Sequence, residues 1–200
     1  MMLKTALSSR LNKRQAVPMS YQFEPVAIAN TPYDEKFAVP RQPNLVTADS
    51  ASLTLLGDCN RQEIVRGLEG FSHLWLTFVF HQAIKQDWKP MVRPPRLGGN
   101  EKVGVFASRS PFRPNPIGLS VVKFESIEFA NKQTTIHISG ADLVNGTPVL
   151  DIKPYLPYAD IHSNAEGGYA PAQPKILPVI FSDNAKAQLE NHNVPKDFDI

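Results

Sequence analysis

The chain has 200 residues, 42% of them hydrophobic and 20% charged, with a net charge of +2, which suffices for one sizeable core in a single domain. Eighteen prolines, about twice the ordinary share of ~5%, recur from Pro18 to Pro195 and disfavour long helices. The single cysteine, Cys59, excludes an internal disulfide framework and a cysteine-cluster zinc site and fits a reducing cytoplasm, with Cys59 itself read as a small buried residue; no apolar run of roughly 18 residues marks a membrane span.

Residues 1–20 carry Lys4, Arg10, Lys13 and Arg14 and no acid. Without the apolar stretch of a secretion signal, they read as a basic, loosely ordered tail. Strand patterns rich in β-branched and aromatic residues follow at 22–30, 52–57, 73–80, 102–108, 117–130, 133–139, 148–153 and 175–181. The run 73–80 is apolar on both sides, which predicts a strand with both faces covered. Asn131-Lys132 and Asn145-Gly146 sit where hairpin turns fall, Asn-Gly being the stronger signal. Asn60 and Glu63 form a capping-box pattern ahead of a short helix that Gly67 or Gly70 would end. Ser182 is placed to cap a second helix before Pro195. About eight strands in one modest domain predict an all-β, mainly antiparallel, closed or sandwiched sheet with short peripheral helices.

Charge is unevenly spread. Between Lys85 and Arg113 stand Lys85, Lys89, Arg93, Arg96, Lys102, Arg109 and Arg113 against only Asp87 and Glu101. A solvated, ion-paired face accounts for such a block, and so does a phosphate-bearing partner. The familiar catalytic signatures are missing: no G-x-S-x-G, Walker A, H-E-x-x-H or G-x-G-x-x-G occurs, and Gly98-Gly99 precedes a strand where a Rossmann loop would open a helix. The five histidines show no metal-ligand spacing, so no metal site is expected. What remains is a set of polar residues held between prolines where strand-like runs end: "VPRQP" at 39–43, "FHQ" at 80–82, "RPPRLGGN" at 93–100, "ASRSPFRPNPIGLS" at 107–120 and "LVNGTPVLDIKPYLPYAD" at 143–160. Proline lowers the entropy of such loops before any ligand arrives, the pattern of a preorganised binding site.

These blocks, with "RGLEGFSHLWLTFVFHQ" at 66–82, resemble the TsaA/YaeB-like family, also called TrmO. Its members are tRNA methyltransferases that methylate N6 of the threonylcarbamoylated adenosine at position 37, beside the anticodon. The resemblance covers about residues 20–160 and implies a single-sheeted β-barrel, without a Rossmann domain, that binds S-adenosylmethionine and works as a homodimer on tRNA. It implies a barrel domain over 21–160, followed at 161–200 by a C-terminal strand and helix that is shortened relative to the family. By the same resemblance Pro40, Arg41, Gln42, His81, Gln82, Arg109, Leu119, Asp151, Ile152, Lys153 and Pro154 match cofactor-binding positions. Arg109 and Arg41 suit the cofactor carboxylate, and Gln42, Gln82 and backbone around Asp151 and Lys153 suit the adenine edge or ribose. Leu119 suits an apolar part of the cofactor.

For the tRNA, Arg113, Asn115 and Tyr155 are the candidates at the base, Tyr155 by stacking, and Arg93 and Arg96 at phosphates. Asp151 is the candidate general base, with holding the cofactor ribose or fixing Lys153 as its other roles, and Lys153 would steady negative charge on the carbamoyl oxygen. The rival from another class is a β-barrel that binds RNA or a ligand without catalysis. A hydrolase using His81 and Asp151 lacks a serine in the expected local pattern.

Overall fold

The computed structural model describes residues 20–47, 49–84, 87–174 and 180–191. The basic tail expected over 1–20 thus lies outside the described residues except for Ser20, as does most of the strand expected at 175–181. Eight described strands occur: β1 (Ala27–Asn30), β2 (Ser50–Leu55), β3 (His73–Val79), β4 (Met91–Val92), β5 (Val103–Gly104), β6 (Ile117–Ala130), β7 (Gln133–Ser139) and β8 (Thr147–Pro154). Six of them close into a barrel in the order β1-β2-β7-β6-β3-β8, with β8 returning to β1 and every pair antiparallel. Closure leaves the main sheet without the two free edges of an open one. β4 and β5 form a separate two-stranded ribbon.

Alternation along the strands fills the interior. Leu53, Leu74, Leu76, Val122, Ile136, Ile138 and Val149 point inward and are fully buried, with Ala27, Ala29 and Ala51 supplying the small residues that a narrow barrel needs. Leu143, from the segment after β7, is buried in the same core. β3 corrects the expectation of two covered faces: Leu74, Leu76 and Phe78 are buried, while Trp75, Thr77 and Val79 are only half-buried on the outside. Its apolar outer residues face the site described below.

The turns depart from expectation in an instructive way. Asn131-Lys132 makes the true hairpin, joining β6 to β7 with both residues at positive φ, 52° and 63°, as a type I′ turn requires. Asn145-Gly146, the stronger signal, joins no hairpin, because β7 and β8 are not neighbours in the barrel. Instead the Asn145 amide reaches the residues after β1, accepting from the Thr31 N–H and donating to Asp34. Asn60 does not cap a helix either: its side chain accepts from the Thr134 N–H at 2.8 Å and donates to the Lys132 carbonyl, holding the hairpin, and the predicted helix is two 3-10 turns, Gln62–Val65 and Leu68–Gly70. The run 102–108 shortens to Val103–Gly104 followed by a 3-10 turn at Val105–Ala107, since its partner β4 is only two residues long. Cys59 is half-buried in a 3-10 turn rather than buried in the core. Two described α-helices follow the barrel, α1 (Pro157–Asp160) and α2 (Asp183–Asn191), and Ser182 Oγ accepts from the Ala185 N–H at the start of α2. No described helix is long and apolar enough to cross a membrane.

Candidate active site

Three irregular segments meet at the C-terminal end of β3: the loop 36–45, the proline-rich loop 107–116, and residues 142–147 leading into β8. Between them lies a cavity of about 190 Å³. Its walls are apolar, with Phe78, Phe80 and Phe112 beside aliphatic residues such as Leu143 and Val144, and its polar side chains are Lys36, His81, Gln82, Asp142 and Thr147.

Local chemistry makes each segment stiff. In the loop 107–116, Ser108 and Ser110 hydroxyls accept from the N–H groups of Ser110 and Phe112, and two i→i+2 bonds, Arg113 N–H to Pro111 and Ile117 N–H to Asn115, tighten the chain around the prolines. Arg113 braces this loop from within, donating to the carbonyls of Ser108 and Ser110 at 3.0 and 3.3 Å. The loop 36–45 docks through Asn44, whose amide donates to the Val121 carbonyl on the stretch of β6 that β7 leaves unpaired, and whose N–H donates to Gly140. Gly140 has φ +71°, and a side chain there would collide with the Asn44 amide.

The loops bring together residues far apart in the chain. Arg109 Nη1 donates to Gln42 Oε1 at 2.5 Å, and Gln42 in turn donates to the Arg41 carbonyl. Pro40 lies beside Val39, a wall residue of the cavity, while Arg41 is exposed. His81 Nδ1 and Thr147 Oγ1 are 3.5 Å apart. Asp142 is a residue that sequence reasoning passed over. Burial pushes its carboxyl above the ordinary carboxylate range, against the opposing pull of the Ser120 hydroxyl, which donates at 2.5 Å, its own backbone N–H, and the positive charge of Arg109. The available signal was a lone acid set between apolar Ala141 and Leu143, immediately before one of the proline-bounded blocks.

A second group of candidates lies on the outer face of the barrel. Thr77 on β3 is flanked by Leu119 on β6 and Asp151 on β8, and Trp75 by Val121 and Lys153. Thr77 is two residues, or about 7 Å at strand rise, from Val79 at the cavity. Asp151 reaches this face through a bulge: Thr77 pairs with Asp151 but Phe78 with Val149, which leaves Leu150 unpaired. Strict alternation from buried Val149 would have put Asp151 inside and Ile152 outside; the extra residue reverses both. Asp151 accordingly makes an ion pair with Lys153 and accepts from the Ile152 N–H at 3.0 Å. The Ile152 side chain turns inward onto the core, so at this position only backbone is free to meet a ligand.

Farther along the same face, Tyr155 packs against Trp75 and His73, ring centroids 5.9 and 6.2 Å away, in a hollow shared with Asn44 and Asp160, while Pro154 pairs with Leu74. Asp160 accepts from Trp75 Nε1 and the Leu156 N–H. The remaining candidates stand apart from the cavity lining. Asn115 is exposed in the proline-rich loop, Arg93 is exposed after β4, and Arg96 donates to the Ala172 carbonyl at 2.6 Å. No metal-binding cluster occurs among the described residues.

Comparison with known proteins places this arrangement. Residues 28–161 match the model of the tRNA-methyltransferase O N-terminal domain. The chain is 49% identical over 171 residues to a tRNA (adenine(37)-N6)-methyltransferase of Escherichia coli K12, covering 85% of this chain and 73% of that protein. It is 46% identical over 176 residues to a candidate S-adenosylmethionine-dependent methyltransferase, RcsF, of Pseudomonas aeruginosa, covering 88% and 72%. A crystal structure of TrmO from Pseudomonas aeruginosa superposes with a TM-score of 0.72 at 41% identity, over 87% of this chain and 74% of that one. The sequence over 28–161 and the barrel it builds are therefore those of the tRNA-methyltransferase O family, to which this chain belongs.

Proposed function

We propose that the protein methylates N6 of adenosine 37 in tRNA, with threonylcarbamoyladenosine as the substrate base and S-adenosylmethionine as the methyl donor. The observation that carries the reading is a cavity lined by His81, Gln82 and Asp142 among aromatic rings, with Arg109, bonded to Gln42, near enough for its charge to act on Asp142, in a member of this family.

The donor set fits this cofactor. A guanidinium beside an amide suits a carboxylate, a buried carboxylate suits a cation, and aromatic walls suit alkyl groups on charged sulfur. At about 190 Å³ the cavity is smaller than the ~300–1,000 Å³ of most small-molecule sites. It takes one end of the cofactor, and the strip past Val79 and Leu119, beside unpaired backbone of β6, takes the remainder. When bound, S-adenosylmethionine supplies a methyl group activated by a positively charged sulfur.

The chain's own residues have the complementary task of presenting the attacking nitrogen and removing its proton. Threonylcarbamoylation makes N6 a ureido nitrogen, whose proton leaves more readily than that of an ordinary adenine amine. Asp151, turned outward by the β8 bulge, is the candidate acceptor, and Lys153 beside it steadies negative charge on the carbamoyl oxygen. Tyr155, with Trp75 beneath it, offers a stacking surface for an unpaired anticodon-loop base, and Asn115 an amide for a base edge. Arg93 and Arg96 meet phosphates, and Arg113 serves by holding the loop that carries Asn115.

A homodimer completes the reading. Ile117 and Leu119 are 41% and 56% exposed on the outer face adjoining an undersized cavity, where a second copy would close the site. Mass spectrometry of tRNA nucleosides after incubation with protein and S-adenosylmethionine tests the activity. Methyl appearing only on threonylcarbamoylated adenosine supports it, and S-adenosylmethionine binding without any methyl transfer would favour the non-catalytic barrel. Light scattering in solution tests the dimer.

A further inference from the structure

Asp142 is the one acidic side chain among the described residues that line the cavity, and the proton-transfer role assigned to Asp151 leaves it unused. One of its oxygens accepts from Ser120, a residue 2% exposed. Arg109 lies close enough for its charge to act on Asp142, but its nearest partner is Gln42. The aromatic and aliphatic walls around Asp142 offer few acceptors for a group rich in N–H donors. An ammonium needs up to three acceptors; a trialkyl sulfonium has no N–H at all. A sulfonium is served by one carboxylate and by aromatic faces such as those of Phe78, Phe80 and Phe112.

Resting on the cofactor reading above, we propose that Asp142 is the counter-charge for the sulfonium and so selects the charged methyl donor over its neutral demethylated product. The amino-acid end is left to Arg109 and Gln42. Methyl transfer converts the sulfonium to an uncharged thioether, so the carboxylate loses its counter-charge as the reaction finishes. Product then leaves a site in which the partly buried carboxylate keeps only the Ser120 hydroxyl and the charge of Arg109. Asp142 in this account is a specificity-determining residue, and the proton from N6 goes elsewhere.

The test is calorimetric binding of three ligands to the full chain: S-adenosylmethionine, S-adenosylhomocysteine, and sinefungin, which carries an amine in place of the sulfonium. Wild type should bind S-adenosylmethionine about tenfold or more tighter than the thioether, a gap of ~1.4 kcal/mol, and tighter than sinefungin, whose ammonium needs more acceptors than these walls offer. Asp142→Asn, with its fold checked by near-UV circular dichroism, should lose at least that factor for S-adenosylmethionine while its affinity for S-adenosylhomocysteine changes less than about threefold. Wild type binding the thioether or sinefungin as tightly as S-adenosylmethionine overturns the inference, and does so even if the variant fails to fold. A parallel loss for all three ligands would move Asp142 to the common amino-acid end, and retained cation affinity with lost turnover would make it a base; either overturns it. Failure of wild type to bind any of the three would remove the cofactor reading and this inference together.

Discussion

Gly118 on β6 lies opposite Phe78 on β3, and a methyl group added there is predicted to damage both the fold and the site. A Cβ at this position would stand 2.2, 2.4 and 2.8 Å from Cζ, Cε2 and Cε1 of Phe78. Carbon atoms pack at about 3.5–4.0 Å, so the ring must retreat by more than about 1 Å. It is 4% exposed and meets Phe80 edge-on at 5.2 Å, which leaves the cavity it lines as the open direction. Overpacking of this kind costs ~1–3 kcal/mol. For a chain of this size that is a fall in melting temperature of about 2–12 °C. Because relief pushes the ring into the cavity, cofactor affinity should fall with stability. The assay is a thermal melt of Gly118→Ala paired with calorimetric titration of S-adenosylmethionine. Adding Phe78→Leu to that variant should recover part of the lost melting temperature, since the smaller side chain removes the collision. A variant that melts within about 1 °C of wild type and binds the cofactor equally well would refute the reasoning.

Arg109→Ala should weaken S-adenosylmethionine binding by ~1.5–3 kcal/mol, the range for a hydrogen bond to a charged group, with little change in melting temperature because the side chain is exposed; unfolding alongside lost binding would mark a structural role instead. Burial raises the Asp142 pKa, so its contribution to stability is present below the unfolded carboxylate range and is lost as pH rises through the folded value; Asp142→Asn should therefore melt higher than wild type at neutral pH, with the difference shrinking on acidification, as scanning calorimetry across pH would detect. Charge reversal at Arg93 should weaken tRNA binding and flatten its salt dependence, read by titration at several salt concentrations; Arg96 is the poorer probe, because its bond to Ala172 would be broken as well. Asp151→Asn should slow methylation of threonylcarbamoylated tRNA at saturating S-adenosylmethionine, whereas full turnover with weakened cofactor affinity would move Asp151 to the cofactor site.

Much of this was legible in the chain itself. β6 and β7 are long, β-branched and joined by two residues, so local propensity and turn chemistry pointed the same way and the hairpin is where the pattern placed it. The proline-bounded polar blocks at 39–43, 80–82, 107–120 and 143–160 likewise marked segments that line the cavity, because stiffness and polarity are properties of adjacent residues, whereas the block at 93–100 stands apart from it. Local signals failed where partners were remote. Asn60 and Asn145 carry the side chains of a helix cap and a hairpin turn, yet each spends its amide on a segment distant in sequence.

Asp142 and Asp151 are both single acids within apolar stretches, and neither spacing nor composition tells them apart. Only the closed barrel, which lines the cavity with Asp142 beside Ser120, and the bulge at Leu150, which turns Asp151 outward to Lys153, give the two carboxylates different environments. A side chain's charge is set by its own chemistry; its desolvation and its partners are set by what the rest of the chain brings to it.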